Sequence, residues 1–224
     1  MQFYVDSANI DHIRHAAALG FISGVTTNPS LLAKEDPHID PKIRILEIHK
    51  LVGGHLSVEV ISTDFKGMVK EAEDILDWFP EATIKIPTIP EGLAACKILS
   101  KQNIPTNLTL IFSPTQAMAA ENAGATYVSL FMGRLDDISF DSINVLKDIC
   151  EIWDVQGYES QIIAASIRNP IHLIEAAKAG AHIATVPYNV LMQSIRHPLT
   201  DIGLKQFLDD YDRLQTERQK AIIL

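Results

Sequence analysis

Short β-branched or apolar runs recur along the chain, separated by longer segments of helical periodicity. The runs are FYVD (3–6), GVTTN (24–28), LSVEV (56–60), TIKIP (83–87), PTNLTL (105–110), TYVSLF (126–131), QIIAAS (161–166) and IATVP (183–187). They lack a clean polar–apolar alternation, as expected for parallel strands buried on both faces. Between them, Phe65, Met68, Val69, Ala72, Ile75, Leu76 and Phe79 follow an i, i+3, i+4, i+7 rhythm that places them on one buried helix face. Glu91–Lys101 and Ser142–Trp153 read the same way. Asn169-Pro170 predicts an N-cap followed by proline at the first helical position, just after the seventh run. This alternation predicts an α/β fold whose eight strand–helix units close most economically as a (β/α)8 TIM barrel. An open doubly wound sheet is the competing architecture.

No low-complexity linker or composition shift divides the chain, so residues 1–224 read as a single domain. That length suits one α/β barrel. Residues 202–224 form a helical tail beyond the eightfold pattern. There Leu204, Phe207, Leu208, Tyr211 and Leu214 make an apolar stripe on an extra C-terminal helix. The stripe fits packing on the barrel's own surface or on a neighbouring subunit.

Polar residues interrupt the runs at or near their C-terminal ends, which is where barrel enzymes carry their chemistry. The first run gives Asp6, the second Thr26, Thr27 and Asn28, the third Glu59, the fourth Lys85, and the fifth Asn107 and Thr109. The sixth gives Ser129 with Arg134 beyond it, and the seventh gives Ser166 with Arg168 two residues on. Burying such groups without partners is costly, so their convergence on one rim predicts a site. Lys85 stands between Ile84 and Ile86, and lysine is rarely buried unless paired or functional. Burial disfavours an ammonium and favours the neutral amine that attacks a carbonyl. The alternative is a lysine that snorkels to solvent from a strand end. Asp6 and Glu59, on neighbouring strand ends, offer the proton transfers that imine chemistry needs, or else form a buried ion cluster with it. Arg134, Arg168 and Ser166 predict an anion cradle beside the helix that starts at Pro170. The alternative is a pair of surface arginines bonded to Asp136 or Asp137.

Charge and composition narrow the class. The net charge is −9, which argues against a nucleic-acid or membrane-surface partner. No apolar run approaches the length of a membrane span, and the start MQFYVDSANID carries no basic region of a signal peptide. Cys96 and Cys150 lie in helical stretches and outside any CxxC, which suggests a reducing, cytoplasmic setting. His12 and His15 are spaced i, i+3 without a third ligand and read as a solvated helix face, not a metal site. Gly53-Gly54 reads as a turn, since no GK[ST] follows. The sequence gives no reason to invoke a metal or an organic cofactor.

The segments VTTNPS (25–30), IKIP (84–87), TNLTLIFS (106–113), FMGR (131–134) and AASIR (164–168) together resemble the transaldolases. The likeness is strongest to their short microbial subfamily, which also includes the fructose-6-phosphate aldolases, and it runs from Asp6 to about Asp201. The resemblance implies that Lys85 is the Schiff-base lysine and that Asp6 assists proton transfer at substrate hydroxyls. It implies that Glu59 and Thr109 hold a catalytic water. Asn28 and Asn107 match hydrogen-bonders to a dihydroxyacetone unit, with Thr26 nearby and Ser129 at its hydroxyl. Arg134, Ser166 and Arg168 match the phosphate site. The implied reaction is reversible exchange between sedoheptulose 7-phosphate plus glyceraldehyde 3-phosphate and erythrose 4-phosphate plus fructose 6-phosphate, in the non-oxidative pentose phosphate pathway. The implied assembly is a homo-oligomer, a pentamer or decamer, with the C-terminal helix on a neighbour. Phe131 stands where the aldolases of the subfamily resemble one another in having tyrosine, and this favours transferase over aldolase. A non-catalytic sugar-phosphate-binding barrel has no use for Lys85, Asp6 and Glu59 together. One departure stands out: the family reads Ser-Pro-Phe where this chain has Ser129-Leu130-Phe131, which frees the backbone there.

Overall fold

A computed structural model describes residues 1–223. In chain order the elements are β1 (Gln2–Asp6), α1 (Ile10–Ala18), β2 (Ile22–Thr26), α2 (Pro29–Leu32), α3 (Pro41–Val52), β3 (His55–Glu59), α4 (Phe65–Trp78), β4 (Thr83–Pro87), α5 (Pro90–Lys101) and β5 (Thr106–Ile111). They continue with α6 (Pro114–Ala123), β6 (Tyr127–Phe131), α7 (Met132–Asp136), α8 (Ser142–Gln156), β7 (Gln161–Ala165), α9 (Pro170–Ala179), β8 (Ile183–Val186), α10 (Tyr188–Ser194) and α11 (Pro198–Ile223). The eight strands are parallel and follow one another around a closed barrel, with β8 paired back to β1. This closure decides between the two expected architectures: the fold is the (β/α)8 barrel, with α11 added after it.

Each of the eight runs became a strand, with shifts at its ends. β2 starts earlier than its run and stops at Thr26, because Asn28 turns away to cap α2, accepting from the Leu31 amide at 2.9 Å. Asn169 caps α9 by accepting from the His172 amide at 3.1 Å, with Pro170 in the first turn. Gly53 ends α3 in the left-handed conformation, the role the Gly53-Gly54 turn requires. The last helix begins at Pro198, upstream of the tail expected from residue 202.

Alternation divides each strand between two environments. Val5, Val25, Val58, Ile84, Ile86, Leu108, Leu130, Ile162 and Ala184 face outward and are sealed under the helices. The other set fills the barrel. Its apolar residues Tyr4, Ile163, Ala165 and Ile183 pack together with Tyr127 and Phe131, with Tyr4 and Tyr127 in the lower layer. His55 joins that layer, stacked on Tyr4 at 4.9 Å between ring centroids and edge-on to Tyr127 at 4.6 Å. Gly24 makes room for this stack, since a Cβ there would lie 2.8 Å from the His55 carbonyl oxygen and 2.9 Å from the Tyr4 ring. Register then places the polar inward residues above this floor: Asp6 is opposite Thr26, Glu59 opposite Lys85, and Lys85 opposite Asn107.

The stripe on α11 is exposed at Leu204, Phe207, Leu208, Tyr211 and Leu214. His12 and His15 do more than face water: His12 stacks on Tyr188 at 4.2 Å, and His15 Nδ1 lies 2.6 Å from the Tyr188 hydroxyl. Among the described residues, no cluster of metal-ligating side chains forms, and no helix is long and apolar enough to cross a membrane.

Candidate active site

A cavity of about 220 Å³ opens at the C-terminal mouth of the barrel. Lys85 reaches into it from the middle of β4 and is only 4% exposed. Its ammonium donates to the Thr27 carbonyl at 3.1 Å and pairs with Glu59 at 3.0 Å. The neighbouring strands dictate this pair, because Glu59 and Lys85 are register partners on β3 and β4. It is thus a buried lysine held by one carboxylate and one carbonyl, not one that snorkels away.

Asp6 meets the same cavity from β1. The Thr26 hydroxyl donates to Asp6 Oδ1 at 2.9 Å and stands 2.5 Å from the Thr185 hydroxyl. Burial pushes the Asp6 carboxyl above its ordinary range. The charge of Lys85, the Thr26 hydroxyl and the charge of Lys34 pull it back. Asp6 is therefore a carboxyl whose two protonation states are brought closer in energy, as a proton carrier requires.

Asn28, Ser129 and Phe131 also line the cavity. The Asn28 carbonyl oxygen is occupied by the cap of α2, which leaves its NH2 to point elsewhere. Glu59, Asn107 and Thr109 do not line the cavity. Glu59 and Asn107 bond to groups that do. Glu59 holds Lys85, and it borders a separate apolar groove with Trp78 and Ile75. Asn107 is fully buried and accepts from the Ser129 hydroxyl at 2.7 Å. Thr109 is fully buried, and its hydroxyl has no protein partner among the described residues.

Arg134, Ser166 and Arg168 line the opposite side, at the ends of β6 and β7. Their approach depends on Gly133: a Cβ there would lie 2.1 Å from the Ser166 carbonyl oxygen and 2.6 Å from Arg168 Nε. The Gly133 amide donates to that carbonyl at 3.0 Å. Ser166 adopts φ +57°, a left-handed conformation that costs a non-glycine residue about 1–3 kcal/mol and tends to collect at functional sites. Arg168 is paired with Asp137 at 2.6 Å, and both side chains are about half exposed, so the alternative of a surface ion pair is realised in part. Arg134 lies over the Phe131 ring at 5.1 Å.

Seven lining residues were not singled out as site residues from the sequence: Ser30, Leu31, Lys34, Ala165, Ile167, Thr185 and Pro187. Thr185 was legible, being the polar residue inside the apolar run IATVP. Lys34 was not, since it follows the short helix α2 and reaches the cavity only because that helix folds over the mouth. Four cations, Lys34, Lys85, Arg134 and Arg168, thus face one carboxylate, Asp6, in a chain of net charge −9. Such a pocket concentrates anions locally.

The family model described as Transaldolase/Fructose-6-phosphate aldolase matches residues 3–222. A protein of Geobacillus thermodenitrificans named as a probable transaldolase is 52% identical over 215 residues, covering 96% of this chain and 100% of that protein. Probable transaldolases of Heliobacterium modesticaldum and Desulforudis audaxviator are 53% and 54% identical, each over 96% of this chain and 99% of their own length. The barrel, the buried Lys85 and these matches over nearly the full chain agree: it belongs to the transaldolase/fructose-6-phosphate aldolase family.

Proposed function

We propose that this protein is a transaldolase that forms a Schiff base between Lys85 and a ketose phosphate and transfers a dihydroxyacetone unit to an aldose phosphate. The observation that carries this reading is Lys85 itself. It is an amine 4% exposed in a cationic cavity, paired with the Glu59 carboxylate of the adjacent strand and sharing the cavity with the Asp6 carboxylate of β1. The ketose carbonyl accepts the amine, and loss of water gives the imine. Asp6 takes the proton of the C4 hydroxyl as the C3–C4 bond breaks, and the electron pair is held as an enamine. The first aldose leaves, an acceptor aldehyde enters, and the same steps run backwards. Glu59 and Thr109 hold the water that moves protons to and from Lys85, a role supported by the unpartnered Thr109 hydroxyl. Arg134, Ser166 and Arg168 bind the phosphate. Asn28 and Ser129 hold the dihydroxyacetone hydroxyls, with Asn107 behind Ser129 and Thr26 holding Asp6.

The substrates on this reading are sedoheptulose 7-phosphate, glyceraldehyde 3-phosphate, erythrose 4-phosphate and fructose 6-phosphate, in the cytoplasmic non-oxidative pentose phosphate pathway. The protein works as one barrel domain within a homo-oligomer, and the exposed α11 stripe supports burial of that helix on a neighbouring copy. Borohydride reduction in the presence of fructose 6-phosphate, followed by peptide mass spectrometry, tests the mechanism. A reduced adduct on Lys85 is expected, and its absence overturns the reading.

Phe131 favours transfer over aldol cleavage with release of free dihydroxyacetone. Its ring packs edge-on to Phe112 at 5.9 Å and under Arg134, so it brings no hydroxyl to the enamine. A tyrosine there would offer a hydrogen-bonding group for the water that protonates the enamine. Sustained turnover of fructose 6-phosphate is expected only with erythrose 4-phosphate present, and Phe131→Tyr is expected to gain acceptor-free cleavage. Rapid acceptor-free release by the unaltered protein would favour the aldolase instead.

A further inference from the structure

A file of hydrogen bonds runs up the inside of the barrel from its floor to the cavity. His55 Nε2 lies 2.7 Å from the Ser57 hydroxyl. Asn107 Nδ2 donates to that same hydroxyl oxygen at 3.1 Å, and Asn107 Oδ1 accepts from Ser129 at 2.7 Å. Ser129 then lines the cavity. Ser57 and Asn107 are both fully buried. No part of the proposed reaction uses His55 or Ser57.

Counting protons fixes the sense of this file. Asn107 Nδ2 is a donor, so the Ser57 proton cannot go there. The remaining partner of the Ser57 hydroxyl among the described residues is His55 Nε2, which must accept. The ring proton of His55 then sits on Nδ1, which faces the Thr83 hydroxyl at 3.4 Å. Burial lowers His55 from the ordinary 6.5 to about 4, so at neutral pH the ring is uncharged and Nε2 is free to accept. With the Ser57 proton committed downward, Ser57 can only accept from Asn107. Asn107 must then turn its oxygen to Ser129, and Ser129 must spend its proton on Asn107. Ser129 therefore meets the cavity with lone pairs alone.

We propose that His55 is a positioning residue: through Ser57 and Asn107 it fixes Ser129 as an acceptor for a hydroxyl of the bound ketose. The floor supports this with rigid packing. The stack of Tyr4 and the edge of Tyr127 hold the imidazole plane, and Gly24 is the only residue type that admits the stack. The role of Ser129 toward a ketose rests on the function proposed above. The polarity of the file does not.

Two measurements test it separately. Nitrogen-15 shifts of the unaltered protein at neutral pH should show His55 with a bare Nε2 and a protonated Nδ1. A protonated Nε2 overturns the proposal whatever the enzyme does. In kinetics, His55→Leu leaves the Ser57 proton without a taker, frees the Asn107 amide to turn over, and should lower kcat roughly tenfold, the worth of about one hydrogen bond, with affinity for inorganic phosphate unchanged. His55→Gln, which keeps an acceptor, should recover most of the loss. The double variant His55→Leu/Ser57→Ala should be no slower than Ser57→Ala alone, because both cut one file. Equal losses in the Leu and Gln variants, or additive losses in the double variant, would reduce His55 to a packing residue. Should His55→Leu fail to fold, the nitrogen-15 result and the comparison of His55→Gln with Ser57→Ala decide. An unaltered protein that forms no imine defeats the proposed function instead, and leaves the tautomer test standing.

Discussion

Lys85 and Arg168 each meet a carboxylate at hydrogen-bond distance, 3.0 Å to Glu59 and 2.6 Å to Asp137. The shorter pair is the weaker one. Arg168 and Asp137 are 50% and 58% exposed, where water and salt screen an ion pair to a net worth of about 0–1 kcal/mol. Lys85 and Glu59 are 4% and 13% exposed, where removing one partner strands the other charge at a cost of about 3–5 kcal/mol. Burial, not distance, decides what each pair does. On the proposed function, Arg168 gives up Asp137 easily for an incoming phosphate. On the same reading, Lys85 hands a proton to a neighbouring group before it attacks the ketose.

The sharpest break in this comparison is Lys85→Met. It should lower kcat by at least about a thousandfold while leaving affinity for inorganic phosphate within about twofold, because the anion side is untouched. Steady-state rates and calorimetric phosphate titration check both halves. A variant that keeps its rate leaves the buried pair without a chemical role.

Acid should reach the buried region before the exposed one. Unfolded, His55 takes a proton below about 6.5; folded, only below about 4. The unfolded chain therefore binds more protons across that window, and stability falls as pH drops from 6.5 toward 4, by about 3 kcal/mol. Tyr4 and Tyr127, which face His55, are both pushed up by burial and stay uncharged throughout. Asp6, held above its ordinary range, works in the opposite sense. Urea midpoints at pH 7 and 4.5 for the unaltered protein and His55→Gln isolate the effect, and the variant should show the flatter profile.

On the exposed side the changes should be smaller and confined to binding. Arg134→Ala and Arg168→Ala each remove a charge-assisted contact worth about 1.5–3 kcal/mol, or roughly 10- to 100-fold in KM for phosphorylated substrates. Unphosphorylated analogues should change far less, and equal losses on both would make the arginines structural. The smallest effect belongs to Asp137→Ala. Thermal unfolding should shift by no more than about 1 kcal/mol, with KM equal or slightly lower, since Arg168 is released from its resting partner. A large loss would place Asp137 in the site itself.

The same contrast explains what the sequence disclosed. Lys85, Asp6 and Glu59 stood out because charge inside an apolar run has few innocent explanations, and strand ends fix where it goes. The barrel was legible from eight spaced runs, and the Asn169-Pro170 helix start from its local hydrogen bond. His55 and Ser57 did not stand out. A histidine after a turn and a serine within LSVEV are ordinary in isolation, and their meaning comes from register, which sets Ser57 beside Asn107 only when the barrel closes. Lys34 was hidden because it reaches the cavity only through the placement of α2 at the mouth. The close approach of Ser166 and Arg168 depends on Gly133, whose importance is steric and appears only when the chain returns beside it.

The aromatic floor built by Tyr4, His55 and Tyr127 also shuts the barrel at one end. Above that floor the cavity opens at the C-terminal mouth, its door to solvent. On the proposed reaction, the departing aldose and the arriving one must use that door in turn and borrow the same phosphate grip. The catalyst is thereby bound to a two-stroke cycle. On that reading the first product clears the pocket before the second substrate enters, and an excess of acceptor is expected to block the empty enzyme it is meant to serve.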